Sequence, residues 1–75
     1  MYSVHSKPNC PWCVKAKDLL QTHNILYEEH IYDSPEKISE FKSGGFKTFP
    51  QIYNEKGQHI GGFDALENYL SNDDF

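Results

Sequence analysis

The sequence predicts an α/β fold in which three helices flank a mixed four-stranded sheet. Seven short segments with strand-like or helix-like patterns follow one another in the order β-α-β-α-β-β-α. A helix between the first two strands implies a right-handed crossover and therefore a parallel pair. A short turn between the last two strands implies an antiparallel hairpin. The 75 residues leave no room for a second domain, so residues 1–75 are expected to form a single one.

The first three elements are a strand, a helix and a strand. Apolar and polar side chains alternate over Met1–His5, which is typical of a short strand. From Pro11 to about Thr22, apolar side chains recur three and four residues apart, and Pro11 suits the first helical turn. The segment Leu26–Ile31 is predicted as the second strand.

The second helix has recognisable signals at both ends. Ser34 is an N-cap residue, and Pro35 after it suits the first helical position. Ile38 and Phe41 give this helix an apolar face, and Ser43-Gly44-Gly45 ends it.

The last three elements are a hairpin and a helix. Gln51-Ile52-Tyr53 and Gln58-His59-Ile60 are predicted strands, joined by the turn Asn54-Glu55-Lys56-Gly57. Gly61-Gly62 interrupts the second of these strands. The last helix, ending near Ser71, is predicted from helical spacing of Phe63, Leu66 and Leu70.

Composition excludes several classes of function. The net charge is −4 and arginine is absent, whereas nucleic-acid phosphates require a positive patch. No apolar run exceeds three residues, so no membrane-spanning helix is predicted. The opening residues 1–5 have neither the basic nor the apolar region of a signal peptide. We therefore expect a cytoplasmic protein that binds neither nucleic acid nor membrane.

The two cysteines, Cys10 and Cys13, form one Cys-x-x-Cys at the start of the first helix. Residues three apart share a helix face, so the two sulfurs can reach bonding distance. The free N–H groups of the first helical turn and the positive end of the helix dipole point toward Cys10. The N–H groups of Trp12 and Cys13 are the expected hydrogen-bond donors to its sulfur. They should lower the pKa of the Cys10 thiol. Cys10 is predicted to be the exposed nucleophile and Cys13 the shielded resolving thiol.

Three simpler explanations of this pair remain as alternatives. A structural disulfide across two intervening residues would remove little entropy from the unfolded chain. A zinc site needs four ligands, and the four histidines contain no pair at the required spacing, so no metal is expected. Two inert cysteines are the third alternative. Redox chemistry is favoured over all three.

Three ordered motifs carry a family resemblance: Ser6-Lys7-Pro8-Asn9-Cys10-Pro11-Trp12-Cys13, Thr48-Phe49-Pro50-Gln51-Ile52-Tyr53 and Gly61-Gly62-Phe63-Asp64-Ala65-Leu66. With these motifs the chain resembles a glutaredoxin of the dithiol, Cys-Pro-Trp-Cys type, and in particular the minimal members found in bacteria and their viruses. The resemblance implies a thioredoxin fold. It also implies a thiol-disulfide oxidoreductase of electron transport and cell redox homeostasis, which reduces protein disulfides and glutathione mixed disulfides and is itself re-reduced by glutathione.

The chain departs from the family pattern at three places. Trp12 stands where dithiol members usually have tyrosine, and Phe49 stands where they have a small branched residue. The shape of the glutathione groove is therefore open. The further C-terminal helix of many members is not expected here.

The resemblance implies a glutathione site around Cys10. Lys7 and Lys47 are placed to meet the glycine-end carboxylate of glutathione, although either can be a solvated surface charge. The N–H groups of Gly62, Phe63 and Asp64 open the last helix and would hold the γ-glutamyl carboxylate. Asp64 would hold the ammonium, with a simple N-cap as its alternative role.

The middle motif is expected to form the other side of that site. The Phe49–Pro50 peptide bond is expected to be cis, leaving the backbone of Phe49 free to pair with an extended substrate. Thr48 either shapes this turn for the ligand or bonds its own backbone. Trp12 offers a flat apolar face to a partner or shields the disulfide. His5 is expected to be a solvated histidine at a strand end rather than a group that tunes Cys10.

The expected partners are glutathione as reductant and co-substrate and disulfide-containing client proteins, ribonucleotide reductase among the candidates. A monomer is expected. One alternative is a redoxin recycled by thioredoxin reductase, but those relatives have Arg-Pro where this chain has Asp64-Ala65. A second is a dimer that binds an iron–sulfur cluster through Cys10 and two glutathiones. Cys13 and Pro11 count against it.

Overall fold

The computed structural model describes residues 1–46 and 48–72, which form four strands and three helices. Their bounds are β1 (Tyr2–Ser6), α1 (Pro11–Thr22), β2 (Tyr27–Ile31), α2 (Pro35–Ser43), β3 (Gln51–Tyr53), β4 (His59–Gly61) and α3 (Phe63–Asn72). The order of elements agrees with the prediction. The strands β1 and β4 each lie one residue later than predicted.

The four strands form one mixed sheet in the order β2-β1-β3-β4. The pair β1/β2 is parallel, whereas β1/β3 and β3/β4 are antiparallel. The mixed sheet predicted from the crossover and the hairpin is therefore confirmed. The carboxyl end of β1 leads directly to Cys10, so the central strand of the sheet positions the cysteine pair.

One face of the sheet packs against α1 and α3 through aliphatic side chains. Alternation along β1 turns Val4 to this face, where Ile52 of β3 lies opposite it. Both side chains are completely buried, as are Ala16, Leu20 and Leu66 from the two helices. Each large aliphatic side chain buried in this way stabilises the fold by about 1.5–3 kcal/mol. The buried side chains of α1 thus fix this helix, and the cysteine pair at its start, against the sheet.

The other face of the sheet packs against α2 and is aromatic. Phe41 of α2 is buried, and its ring stacks on those of Phe46 and Phe49 with centroids 5.0 and 4.2 Å away. Ser34 caps α2 as predicted, since its hydroxyl accepts from the Lys37 N–H at 3.3 Å. Phe49 belongs to the segment before β3, so this aromatic layer also supports that segment.

His5 lies in this aromatic layer, and the expectation of a solvated histidine is wrong. Its ring stacks on His30 at a centroid distance of 4.8 Å, and Nδ1 lies 2.8 Å from the hydroxyl of Tyr32. Burial lowers the pKa of His5, and the neighbouring His30 lowers it further, while Glu28 partly offsets both. The reason is strand alternation, which turns His5 toward α2 rather than toward solvent.

Among the described residues, no helix is both long enough and apolar enough to cross a membrane.

Candidate functional site

Cys10 and Cys13 are joined by a disulfide at the first turn of α1. Their Cα atoms lie 5.2 Å apart, as residues on one helical face should. Cys10 is itself the N-cap of α1: its backbone is extended and its Sγ accepts from the Cys13 N–H at 3.2 Å. The predicted pairing of the two sulfurs is therefore confirmed.

The exposure of Cys10 differs from the expectation. Cys10 is 7% exposed and Cys13 2%, so the order is as predicted, but the expected exposed nucleophile is almost covered in the disulfide form. Sγ of Cys10 is bonded to the buried Cys13 and accepts from the Cys13 N–H, so it faces the first turn of α1. A thiol that attacks Cys10 in the disulfide form must therefore reach a residue that is almost covered.

The start of α1 is suited to a negatively charged sulfur. Of the two predicted donors, Cys13 supplies a hydrogen bond to Sγ, whereas Trp12 supplies none in the described structure. No acidic side chain lies in the first turn of α1 to oppose a negative charge. On reduction, the Cys13 N–H and the helix dipole would both favour the thiolate form of Cys10.

A cleft of about 470 Å³ lies between the cysteine helix, the segment before β3 and the start of α3. Its volume is within the range of small-ligand sites. It is lined by Trp12, Thr48, Phe49, Pro50, Gly62, Phe63, Asp64 and Ala65. The glutathione site expected from the sequence included all of these except Ala65, and the signal for Ala65 was its place in the last motif, directly after Asp64.

Aromatic rings line the cleft, and two lysines lie near these rings. Trp12 is 51% exposed, and its ring lies 5.6 Å from that of Phe63, so the two rings form one wall of the cleft. The Lys7 ammonium lies 5.6 Å from the centre of the Phe49 ring. The Lys15 ammonium lies 4.4 Å from the Trp12 ring. Both ammonium groups thus lie near rings that line the cleft, in a chain whose net charge is −4.

The Phe49–Pro50 bond is cis, as predicted. Thr48 is exposed, Phe49 half-buried and Pro50 buried, so the three residues turn from the surface into β3. The backbone of Phe49 makes no hydrogen bond to the rest of the described structure. Its N–H and C=O thus have no backbone partner among the described residues, and Phe49 lines the cleft.

The start of α3 forms the opposite side of the cleft. Gly62 O accepts from the Leu66 N–H at 3.0 Å, so Gly62 precedes the helix and Asp64 is the second residue within it. The alternative of Asp64 as an N-cap is therefore wrong. Its carboxylate lies in the first turn, where the helix dipole favours negative charge. The first N–H groups of α3 border the cleft.

The remaining residues predicted to bind glutathione are two lysines. Lys7 is exposed and reaches the site only through the ring of Phe49. Lys47 lies outside the described residues. Within the part of the chain that the structure describes, no three histidine, cysteine or acidic side chains are grouped as metal ligands.

Comparison with known proteins supplies a family for this arrangement. The family model described as Glutaredoxin matches residues 2–60. Glutaredoxin 1 of Rickettsia conorii is 44% identical over 68 residues, which cover 84% of this chain. The chain spans 65% of the length of that relative.

Several solved structures with the same fold are glutaredoxins. The crystal structure of Glutaredoxin 1 from Francisella tularensis complexed with cacodylate superposes with a TM-score of 0.86 at 29% identity, covering 95% of this chain and 92% of that one. A buckwheat glutaredoxin–glutathione complex gives 0.74 at 22% identity, covering 96% and 69%, and shows likeness of fold alone. The fold is thus the thioredoxin-like fold that the motifs predicted.

Proposed function

The chain belongs to the glutaredoxin family, and from that premise we propose that it is a glutathione-dependent thiol-disulfide oxidoreductase that works through Cys10 and Cys13. The observation on which this depends is the disulfide between Cys10 and Cys13 at the start of α1, with Trp12, between the two cysteines in the sequence, lining a small-ligand cleft. A structural disulfide would need no cleft, and two inert cysteines would not be paired. The structure therefore supports redox chemistry over both alternatives.

The reaction begins with the reduced dithiol. The Cys10 thiolate attacks one sulfur of a client disulfide, forming a mixed disulfide with Cys10 and releasing the other client sulfur as a thiolate that takes up a proton. The Cys13 sulfur, as a thiolate, then attacks Cys10, forms the Cys10–Cys13 disulfide and releases the second client sulfur. The client gains two electrons, which the two cysteine sulfurs lose. Of the two protons that the client sulfurs take up, one is lost by Cys13 and the other comes from solvent, because Cys10 reacts as a thiolate.

Glutathione completes the cycle. One glutathione thiolate attacks the Cys10 sulfur, breaks the bond to Cys13 and forms a mixed disulfide with Cys10. A second glutathione thiolate attacks the sulfur of the bound glutathione, releasing glutathione disulfide and the Cys10 thiolate. Stabilisation of that thiolate by the Cys13 N–H favours this release, because a thiol of lower pKa is a better leaving group.

The cleft provides groups that complement each end of glutathione. The free N–H groups at the start of α3 would bind the γ-glutamyl carboxylate, and Asp64 would bind the ammonium. The backbone of Phe49 would pair with the extended cysteinyl segment, as an added strand does. Lys7, near Phe49, would meet the glycine carboxylate, and Lys47 is proposed for the same end.

Trp12 and Phe63 would bound the cleft on the solvent side. Their rings lie 5.6 Å apart and offer apolar surface to the ligand's methylene groups or to a client chain. Thr48 and Pro50 would set the direction of the Phe49 backbone. The proposed clients are disulfide-bearing proteins, ribonucleotide reductase among them, and we propose that the protein acts as a cytoplasmic monomer.

A comparison of reductants tests this proposal. The oxidised protein should turn over a glutathione mixed disulfide when supplied with glutathione and glutathione reductase, and should not when supplied with thioredoxin reductase. Turnover with thioredoxin reductase alone would favour the redoxin alternative. A coloured protein after anaerobic purification with glutathione would favour the iron–sulfur alternative.

A second measurement tests the two cysteine roles. In the reduced protein, the rate of Cys10 alkylation should titrate below the value of about 8.5 for a free thiol. Cys13→Ser should leave that titration in place. If Cys10 titrates as a free thiol, or if Cys13 is alkylated first, the assigned roles are wrong.

A further inference from the structure

Gln51 is a buried amide that the chemistry above does not use. It is the first residue of β3 and is 7% exposed. It pairs with His5 across the sheet, which turns its side chain toward the face that carries α2. A buried amide destabilises a protein unless its donors and acceptor are all bonded, so its partners indicate why it is tolerated there.

The partners of Gln51 connect the cleft wall to the sheet edge. Its Nε2 donates to the backbone carbonyl of Thr48 at 3.0 Å and to the Thr48 hydroxyl at 3.2 Å. Its Oε1 lies 2.6 Å from Nε2 of His59, the first residue of the edge strand β4. The amide thus connects the residue before Phe49 to a different strand.

The direction of these hydrogen bonds follows from the chemistry of the groups. A backbone carbonyl can only accept, so the nitrogen of the Gln51 amide must face Thr48 and the oxygen must face His59. His59 must then carry its proton on Nε2. The His59 ring is further held by Tyr53 and Phe46, with centroids 5.0 and 5.4 Å away. The chain of contacts therefore has one consistent arrangement.

The position of Thr48 matters because the Phe49 backbone follows it. Thr48 is exposed and belongs to neither a helix nor a strand, so no regular backbone ladder holds it. The Gln51 amide instead donates hydrogen bonds to both the carbonyl and the hydroxyl of Thr48. On the far side, a Cβ added to Gly62 would lie 3.6 Å from the carbonyl oxygen of Pro50, an ordinary van der Waals distance. Thr48 itself lines the cleft, so the shape of the cleft depends on where Thr48 is held.

We propose that Gln51 and His59 are positioning residues for the glutathione cleft, a proposal that rests on the function proposed above. Gln51 holds Thr48, and His59 fixes the orientation of the Gln51 amide. Neither side chain lines the cleft or touches the sulfurs. Their effect should therefore appear in the binding of glutathione-containing substrates and not in the reactivity of Cys10.

The decisive variants replace an amide by a carboxylate of nearly equal size. Gln51→Glu replaces the NH2 group that donates to Thr48 by a carboxylate oxygen. That oxygen and the Thr48 carbonyl oxygen are both acceptors and would repel each other. Asn54→Asp is the matched control, because Asn54 is a 4% exposed amide in the hairpin whose partners are Gln58, Lys56 and Tyr69, all away from the cleft. Both changes should lower stability.

Only Gln51→Glu should raise KM for a glutathione mixed disulfide, by about tenfold, the effect of losing roughly one well-placed hydrogen bond. The value of kcat and the pH titration of Cys10 alkylation should be unchanged. Equal KM values for Gln51→Glu and Asn54→Asp would overturn the proposal.

The exposed His59 provides a test that does not depend on tolerance of a buried change. His59→Phe keeps a ring but removes the donor, and should raise KM. His59→Gln places an amide nitrogen near the same point and should restore it. An unchanged KM in His59→Phe would contradict the role of His59.

A measurement without activity separates this proposal from the proposed function. NMR order parameters of the Thr48 and Phe49 amides should be lower in Gln51→Glu and His59→Phe than in the wild type and in Asn54→Asp, because the segment is then held less firmly. Absence of turnover with glutathione in the wild type would refute the proposed function, whereas unchanged order parameters at Thr48 and Phe49 would refute the positioning role by itself.

Discussion

Gly61 is the position where one added methyl group should disturb both stability and the cleft. Its φ is +127°, in a region that L side chains rarely adopt. A Cβ at this position would lie 2.9 Å from the Cβ of Ala65 in the first turn of α3. Ala65 lines the cleft, so relief of that contact must move the cleft wall. Gly61→Ala should therefore destabilise the fold and raise KM for glutathione substrates.

Comparison with Gly57→Ala divides the loss of stability expected for Gly61→Ala into a backbone contribution and a packing contribution. Its φ is +81°, but a Cβ there would meet nothing within 4 Å. Gly57→Ala should therefore cost only the backbone term, about 1–2 kcal/mol. Gly61→Ala should cost a similar backbone term and an overpacking term of about 1–3 kcal/mol, for a total of about 2–5 kcal/mol. That is a large part of the stability of a small domain.

Urea unfolding of four variants measures these terms. The set is Gly61→Ala, Gly57→Ala, Ala65→Gly and the double variant at 61 and 65. Ala65→Gly alone should cost about 1 kcal/mol through helix propensity, but in the Gly61→Ala background it should recover the overpacking term. If Gly61→Ala destabilises no more than Gly57→Ala, or if the two changes at 61 and 65 are additive, the close contact does not limit this turn.

Three further predictions concern pH, ligand binding and a helix cap. The unfolded chain protonates His5 near pH 6.5, whereas the folded chain protonates it only at lower pH. The contribution of His5 to the free energy of unfolding is therefore fully present above pH 6.5 and is lost as the pH falls below it. His5→Phe should reduce this fall, as followed by urea unfolding at pH 7 and pH 5; an identical fall would exclude His5 as its source. Asp64→Asn should raise KM for glutathione about two- to fivefold without a change in kcat, and an unchanged KM would remove Asp64 from the ligand site. Ser34→Ala should cost about 0.5–2 kcal/mol by removing the N-cap bond to Lys37, whereas Ser39→Ala within α2 should not destabilise.

The fold was predictable because its signals are local. Pro11 and the pair Ser34-Pro35 mark helix starts, and the structure begins α1 at Pro11 and α2 at Pro35. The hairpin turn before Gln58 likewise follows from four adjacent residues. Each signal acts within one turn of its own backbone, so no tertiary information is needed to recognise it.

The candidate site was predictable in its membership and less so in its geometry. Seven residues expected to contact glutathione line one cleft, because the family motifs name them directly. The burial of Cys10 and the placement of His5 differ from expectation. Both depend on which elements cover a side chain, and single-sequence patterns do not specify that.

Gln51 shows the difference most clearly. Its place in the middle motif was visible, but its hydrogen bonds join Thr48, three residues earlier, to His59, eight residues later and on another strand.

The order of residues alone determined the succession of helices and strands, the sulfur pair at the head of α1 and the acidic balance of the chain. Only the tertiary structure decided how far Cys10 is covered, where His5 packs and which amide supports the cleft. The physical reason is the distance along the chain over which each kind of interaction acts. Caps, turns and periodicity act between neighbours in the chain, whereas burial and side-chain hydrogen bonds are set by elements that the sheet brings together.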